Sequence, residues 1–107
     1  MKFRITLTGT AKSDLREIFR YVESNDSTER ADQLVTGIEH SINSLALLPE
    51  RGHFPRELEC YGNHEFRELH FKPYRIIYAL HEKTVVIYCV LDGRRDMQTL
   101  LQQRLLR

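Results

Sequence analysis

Arginine side chains recur in the final third of the chain, within segments that otherwise have the composition of buried strands. Arg67 and Arg75 lie in apolar runs, and Arg94 and Arg95 directly follow another. Burying a guanidinium group among aliphatic side chains costs on the order of several kcal/mol unless the charge is paired or faces a cleft. In a cleft, guanidinium groups bind phosphate or carboxylate bidentately and stabilise charge that develops on a phosphoryl group. These arginines therefore suggest anion binding or phosphoryl-transfer chemistry.

Strand alternation decides which face each arginine occupies. In the run Tyr74–Leu80, Arg75 points away from the face that carries the two tyrosines. We expect Arg75 to lie on a concave face of a sheet, where Arg67 and either Arg94 or Arg95 converge with it. The alternative is that the arginines pair with nearby carboxylates and hold the sheet to a terminal helix. The candidate carboxylates are those of Glu65, Glu68, Asp92 and Asp96.

The sequence contains no strong motif for a metal site, a nucleophilic catalytic site or a nucleotide-binding site. The histidines and cysteines have spacings that match no zinc signature. No Ser or Cys lies in a turn of the G-x-S-x-G kind that presents a nucleophile, and there is neither a P-loop nor a G-x-G-x-x-G motif. We therefore expect no metal ion and no cofactor. The positions considered for a metal are His53, Cys60, His64, His70 and Cys89.

Length and charge favour an ordinary globular protein. A chain of 107 residues with 41% apolar and 29% charged residues predicts one domain over residues 1–107, with a single core. Residues 1–50 carry 6 basic and 8 acidic side chains, whereas residues 51–107 carry 10 and 7. This basic excess is much smaller than that of a dedicated nucleic-acid-binding protein. We expect no direct sequence-specific DNA binding by this chain alone.

The sequence predicts a cytoplasmic protein. The two cysteines show no CxxC spacing, and Cys89 lies in an apolar strand pattern, where a free thiol behaves as a small hydrophobe. The amino terminus lacks the apolar core of a signal peptide, and no apolar run approaches the roughly 20 residues that span a bilayer. We therefore expect neither secretion nor membrane association.

The first half of the chain is predicted to form a strand and a helical hairpin. Apolar and polar residues alternate over residues 3–8, which is typical of a half-buried strand. Apolar residues then recur at helical spacing, and they do so again after Asp26 or Ser27, either of which can cap a second helix that ends before Pro49. Gly37 within this helix costs up to about 1 kcal/mol relative to Ala, which packing must offset. A short connection makes the two helices antiparallel.

The second half is predicted to form a meander and a terminal helix. Residues 50–65 lack periodicity and indicate a flexible surface loop. The runs Phe66–Phe71, Tyr74–Leu80 and Val85–Leu91 predict three antiparallel strands, the last of them central because it is apolar at both parities. Asp96 can cap a final helix with an apolar stripe. The order β-α-α-β-β-β-α predicts an α+β fold with the helical hairpin on one face of a mostly antiparallel sheet.

With these motifs in this order, the chain resembles the ParE/RelE superfamily of bacterial toxins from type II toxin–antitoxin systems. The resemblance covers nearly the whole chain. Its motifs are Ala11-x-x-Asp14-Leu15-x-x-Ile18-x-x-Tyr21, Leu45-x-x-x-Pro49, Arg67-Glu68-Leu69, Tyr74-Arg75-Ile76-Ile77-Tyr78 and Gly93-Arg94-Arg95-Asp96 before Leu100-Leu101. The resemblance implies a RelE/ParE-like fold and a cognate antitoxin protein, ParD-like, as a partner.

Two functions diverge within that superfamily. RelE-type, ribosome-dependent mRNA endonucleases are similar to this chain at Arg67, Arg75 and Arg95, which match basic residues of their cleavage site. A further basic residue of that site is replaced here by Leu69, and a tyrosine of the last helix is replaced by Leu101. Each such group is worth roughly 10²–10⁴-fold in rate. A catalytic role for the three arginines is therefore the alternative interpretation.

The ParE branch is the favoured interpretation, because it shares the same motifs without the full nuclease set. This resemblance implies a non-enzymatic poison of DNA gyrase that blocks growth and is neutralised by its antitoxin. The residues expected to contact the target are Arg75, Arg94, Arg95, Arg104 and Leu105. Those expected to contact the antitoxin are Leu15, Arg16, Phe19, Arg20, Arg30, Leu34 and Ile38. A third interpretation is a degenerate toxin that only binds the antitoxin.

Overall fold

The structure is a computed structural model that describes residues 2–106. Its strands and helices, in chain order, are β1 (Arg4–Leu7), α1 (Gly9–Asn25), α2 (Thr28–Asn43), β2 (Phe66–Phe71), β3 (Tyr74–His81), β4 (Thr84–Asp92) and α3 (Met97–Leu105). A short 3₁₀ turn extends α2, and a 3₁₀ segment at Arg56–Tyr61 precedes β2. The predicted order β-α-α-β-β-β-α is confirmed. Within the described range, no helix is both long enough and apolar enough to cross a membrane.

The four strands form one sheet in the order β1-β4-β3-β2. The pairs β2·β3 and β3·β4 are antiparallel, as predicted for a meander, whereas β1 pairs with β4 in parallel. A parallel pair requires a crossover connection, and α1 and α2 lie within it. The inner position predicted for β4 is confirmed, and it explains why this strand is apolar at both parities.

Each face of the sheet packs against its own layer. The face toward α1 and α2 buries one set of residues: Ala11, Leu15, Ile38, Ile42, Leu45, Leu69, Tyr74, Ile76, Tyr78, Val85, Ile87 and Val90. The opposite face packs against the 3₁₀ segment and α3, and its buried residues are Leu58, Phe66, Ile77, Ala79, Cys89, Leu91, Met97 and Leu101. Alternation along β3 produces this division, since adjacent side chains point to opposite faces. Burial also raises the pKa of the Cys89 thiol to about 12, which keeps it protonated and unreactive.

Polar side chains cap all three helices. The hydroxyl of Thr8 accepts a hydrogen bond from the Ala11 amide at the start of α1, and Ser27 does the same for the Arg30 amide at the start of α2. The carboxylate of Asp96 accepts from the Thr99 amide at the start of α3, as predicted. Each cap satisfies an amide that lacks a partner within its helix.

Packing against β2 explains why a glycine stands at position 37. A Cβ atom at this position in α2 would lie 2.5 Å from Cζ of Phe71 on β2. The glycine lets the Phe71 ring approach the helix backbone. This contact is the tertiary compensation that the sequence required for a glycine inside a helix.

Residues 50–65 are anchored, which differs from the predicted flexible surface loop. The Gly52 amide donates to the Tyr78 hydroxyl at 3.0 Å, and that hydroxyl donates to the Pro49 carbonyl at 2.8 Å. His53 exchanges two backbone hydrogen bonds with Glu68, so that one residue of the loop extends the sheet edge at β2. The side chain of Leu58 is 1% exposed. These partners are distant in sequence, so local periodicity gives no sign of them.

The close approach at Gly52 yields a stability prediction. A Cβ atom at position 52 would lie 2.5 Å from the hydroxyl of the fully buried Tyr78 and 2.6 Å from the backbone carbonyl oxygen of Glu68. We expect Gly52→Ala to lower the free energy of unfolding by about 1–3 kcal/mol in urea titrations. Gly9→Ala is the matched control, because nothing lies within 4 Å of a Cβ atom there. Equal stabilities of the two variants would contradict the anchoring described for this segment.

Candidate functional site

Arg75 lies in a buried network of charges on the face of the sheet that packs against α3. Its Nε donates to Glu68 Oε1 at 2.6 Å, and its two terminal nitrogens donate to the Glu57 carboxylate at 2.8 and 2.7 Å. The Arg75 side chain is only 13% exposed. The hydrogen bonds to Glu57 raise the pKa of Arg75 above its ordinary value, and the same bonds lower the pKa of Glu57. This bidentate pair joins the 3₁₀ segment to β3.

Arg67 points to the other face of the sheet. It lies opposite Tyr78, whose side chain packs under the helices, whereas Arg75 lies opposite His70. One terminal nitrogen of Arg67 donates to the Gly52 carbonyl at 3.0 Å, and its guanidinium carbon lies 4.6 Å from the centre of the Phe54 ring. The expectation that Arg67 and Arg75 converge in one cleft is therefore wrong. His70 is three positions beyond Arg67 along β2, so strand parity places the two side chains on opposite faces.

Arg94 and Arg95 lie at the exposed exit from β4. Arg94 pairs with Asp92 through two hydrogen bonds, of 3.0 and 2.7 Å, and this pairing lowers the pKa of Asp92. Asp96, another expected partner, caps α3 instead. The alternative interpretation is that the arginines pair with nearby carboxylates. Two of these pairs are present, Arg75 with Glu68 and Arg94 with Asp92.

Two adjoining clefts next to these residues form a groove between the helical hairpin and the end of β4. Both clefts are lined by Tyr21, Tyr74 and Arg94. We call this surface the tyrosine groove and define it by Tyr21, Arg30, Leu34, Lys72, Tyr74, Arg94 and Arg95. Tyr21 is 68% exposed although it belongs to a packed helix. Exposed tyrosines and arginines of this kind are typical of surfaces that bind other proteins.

Arg104 connects α3 to α1 around the edge of β4. Strand β1 ends at Leu7 opposite Ile87, so the amide of Val90 has no strand partner on that side and donates instead to Oδ2 of Asp14 at 3.0 Å. Arg104 donates to the same carboxylate oxygen at 2.8 Å. Since Arg104 is already paired, its role in the described structure is to position the end of α3.

The helical hairpin presents only some of the residues expected to contact an antitoxin. Leu15 and Ile38 are buried in the core beneath the helices, so they cannot touch a partner directly. Phe19 and Leu34 are half-buried. The exposed members of the predicted set are Arg16, Arg20 and Arg30.

Three exposed apolar residues were not expected from the sequence. Tyr21 departs from the apolar stripe of α1, and Leu47 and Leu48 follow α2 with exposures of 65% and 62%. The two leucines line a cleft together with Phe3 and Leu80. Tyr21 is a large aromatic residue that lies off the periodic apolar stripe of α1. This position is the signal in the sequence that could have identified Tyr21 as exposed.

Comparison with known proteins places this architecture in a family. The family described as "ParE toxin of type II toxin-antitoxin system, parDE" matches residues 5–97. The chain belongs to the ParE toxin family. The predicted membership of the ParE/RelE superfamily is thereby confirmed, and the protein is a ParE-type toxin of a type II toxin–antitoxin system.

Individual relatives agree with this assignment. The chain is 28% identical over 101 residues to Toxin ParE3 of Caulobacter vibrioides, covering 94% of this chain and 97% of that one. Its fold is similar to that in the chromosomal ParDE system of P. aeruginosa, with a TM-score of 0.70, 18% identity and coverage of 83% and 94% of the two chains. It is also similar to the RelBE2 toxin–antitoxin complex of Mycobacterium tuberculosis, with a TM-score of 0.61, 20% identity and coverage of 84% and 96%. The predicted fold class is confirmed by these likenesses.

The Glu57–Arg75 pair predicts a pH dependence of stability. The folded-state pKa of Glu57 lies below its ordinary value of 4.5, so its stabilisation is complete above pH 4.5 and is lost as the pH falls through the lower folded pKa. We expect Glu57→Gln to be less stable than the wild type at pH 7, with the difference narrowing toward pH 3. Urea titrations between pH 7 and pH 3 measure the free energy of unfolding of the variant and of the wild type. Glu59→Gln, an exposed change in the same 3₁₀ segment, serves as the control, and a constant difference for Glu57→Gln would contradict the role of the pair.

Proposed function

We propose that this ParE-family toxin inhibits DNA gyrase by binding it, without catalysing a reaction of its own, and that a ParD-like antitoxin neutralises it. Family membership supports a toxin of this kind. The observation that carries the proposal is the separation of Arg67 and Arg75 onto opposite faces of the sheet, because an mRNA-cleaving site of the RelE kind would need them together.

The neighbouring side chains also favour binding over cleavage. A substrate phosphate at Arg75 would have to displace the carboxylates of Glu57 and Glu68, which already occupy both edges of the guanidinium. Leu69 and Leu101, which replace a basic residue and a tyrosine of the nuclease pattern, are both buried in the core. They therefore provide no proton donor or cation at a surface where RNA could bind.

The gyrase-binding surface is proposed to comprise the exit from β4 and α3. Arg94, paired with Asp92, and Arg95 are exposed there beside the rings of Tyr21 and Tyr74. Leu105 packs partly against the core and keeps some of its surface exposed. Arg75 and Arg104 are each paired with a carboxylate of this chain. We propose that these ion pairs hold the elements that form the surface in place, and that the two arginines do not contact gyrase themselves.

The antitoxin is proposed to bind across the helical hairpin. Its segment would bring acidic side chains toward Arg16, Arg20 and Arg30 and apolar side chains toward Phe19 and Leu34. A flexible segment that folds on binding can cover such an extended surface. The buried residues Leu15 and Ile38 would hold the two helices at the spacing that this contact requires.

A cleavage-complex assay tests the target. We expect the protein to increase gyrase-dependent cleavage of supercoiled plasmid in the presence of ATP, and we expect no cuts in mRNA on translating ribosomes. The double variant Arg94→Ala/Arg95→Ala should lower the yield of cleavage complexes roughly tenfold, because it removes the exposed charges of the proposed contact. Arg4→Ala, an exposed change on β1, is the control.

The same assay can overturn the proposal. Codon-dependent cuts in mRNA without gyrase-dependent cleavage of the plasmid would establish the nuclease function. If the double variant Arg94→Ala/Arg95→Ala kept as much activity as the control Arg4→Ala, the proposed surface would be excluded. Arg75→Ala is unsuitable for this purpose. Removing one partner of a buried ion pair destabilises a protein by about 3–5 kcal/mol, so an inactive variant would not distinguish function from folding.

Binding of the purified antitoxin tests the hairpin surface. We expect Arg16→Glu/Arg20→Glu to weaken the complex roughly tenfold, chiefly through slower association, and we expect added salt to reduce the difference. Arg4→Glu carries a charge reversal away from the hairpin and should bind like the wild type. Equal association rates for both variants would place the antitoxin elsewhere, with the cleft at Leu47 and Leu48 as the next surface to test.

A further inference from the structure

Two histidines and a buried glutamate lie together on the face of the sheet that carries Arg75. The Nε2 atom of His53 lies 3.0 Å from Glu68 Oε2, and that of His70 lies 3.4 Å from the same oxygen. One potential ligand atom from each residue lies within 4.8 Å of the others. The His53 and His70 side chains are 62% and 48% exposed, whereas that of Glu68 is 4% exposed. A buried carboxylate thus faces two accessible imidazoles.

The backbone explains this grouping. His53 forms an isolated antiparallel bridge with Glu68, through amide-to-carbonyl bonds of 3.1 and 2.7 Å, so the two side chains leave the same face of the sheet. His70 is two residues beyond Glu68 along β2 and therefore lies on that face as well. Because β2 is an edge strand, solvent reaches the imidazoles from the side.

The two oxygens of Glu68 have different partners. Oε1 accepts from Arg75 Nε at 2.6 Å, and Oε2 faces the two imidazoles. Arg75 also pairs with Glu57, so the three charges Glu57, Glu68 and Arg75 sum to one negative charge beside the histidines. The exposed Arg56 lines the same cleft, where solvent screens its charge. This arrangement fixes the orientation of the carboxylate and favours a cation at Oε2.

We propose that His53, Glu68 and His70 bind a divalent transition-metal ion, with Zn²⁺ as the preferred ion. Two imidazole nitrogens and one carboxylate oxygen form a donor set that suits Zn²⁺ and related ions, whereas Mg²⁺ and Ca²⁺ prefer all-oxygen sites. Bonds of about 2.0–2.1 Å place neighbouring ligand atoms of a tetrahedral centre roughly 3.3 Å apart, close to the two distances observed. Water completes the coordination on the exposed side. The ion would cross-link the anchored segment at His53 to β2.

This proposal departs from the sequence-based expectation of no metal site. The three ligands follow no local spacing motif, because pairing across the sheet edge brings His53 to Glu68. The inference is also independent of gyrase inhibition, since it concerns a different set of ligand residues and a different measurement.

Calorimetric titration of the untagged protein with ZnCl₂ tests the site. We expect one Zn²⁺ per chain, no measurable binding of Mg²⁺, and an affinity lowered roughly tenfold or more in His53→Ala and in His70→Ala. His40→Ala, an exposed change on α2, and Cys60→Ser, which removes the exposed thiol, should bind like the wild type. Zinc should raise the melting temperature of the wild type and both controls by more than it raises that of the two histidine variants.

Folding is monitored without metal. His70→Gln keeps a hydrogen-bond donor for Glu68 but is a poor zinc ligand, so it should fold like the wild type and bind zinc weakly. Circular dichroism of the metal-free variants reports whether each one is folded. Undetectable zinc binding by the wild type would overturn the proposal. So would unchanged affinity in folded His53 and His70 variants, or an equal loss in His40→Ala.

Discussion

A guanidinium group buried in a sheet must have its charge balanced, and in this protein the pairing of Arg75 with Glu57 and Glu68 determines the arrangement of one entire face. The bond to Glu57 fixes the 3₁₀ segment against the sheet, and Leu58 of this segment belongs to the same buried cluster as Phe66 and Ile77. The bond to Glu68 directs the second oxygen of that carboxylate toward the two histidines. Removing Arg75 would leave both carboxylates without their guanidinium partner, and removing either glutamate would leave part of that guanidinium unpaired, which is why the network acts as a unit.

The two faces of the sheet are covered by different layers. One face is covered by α1 and α2, whose outer surfaces present arginines to an antitoxin in our proposal. The other is covered by α3 and the 3₁₀ segment, which pack over the buried side chains of that face. The tyrosine groove remains accessible between the helical hairpin and the end of β4. It combines tyrosines with charged side chains, as protein-binding surfaces commonly do.

Local patterns in the sequence were sufficient for the order of the strands and α-helices and for part of the core, but they did not predict the 3₁₀ segment at Arg56–Tyr61. Alternation in β3 correctly separated Arg75 from Tyr74, Ile76 and Tyr78, because successive strand residues always face opposite ways. Helical spacing and polar caps predicted both hairpin helices and α3. The same patterns could not show that Gly52 lies under Tyr78 or that His53 pairs with Glu68, since these contacts join segments far apart in the chain.

The sequence by itself determined the order of the elements and the apolar stripes, because these depend on residue types at short and regular spacing, and the resemblance of its motifs indicated the family. Only the tertiary structure decided which charges meet. Strand register separated Arg67 from Arg75, the bridge at the sheet edge assembled His53, Glu68 and His70, and the wrapping of α3 brought Arg104 to Asp14. The physical reason is that a one-residue change in register moves a side chain to the opposite face while leaving the local sequence pattern unchanged.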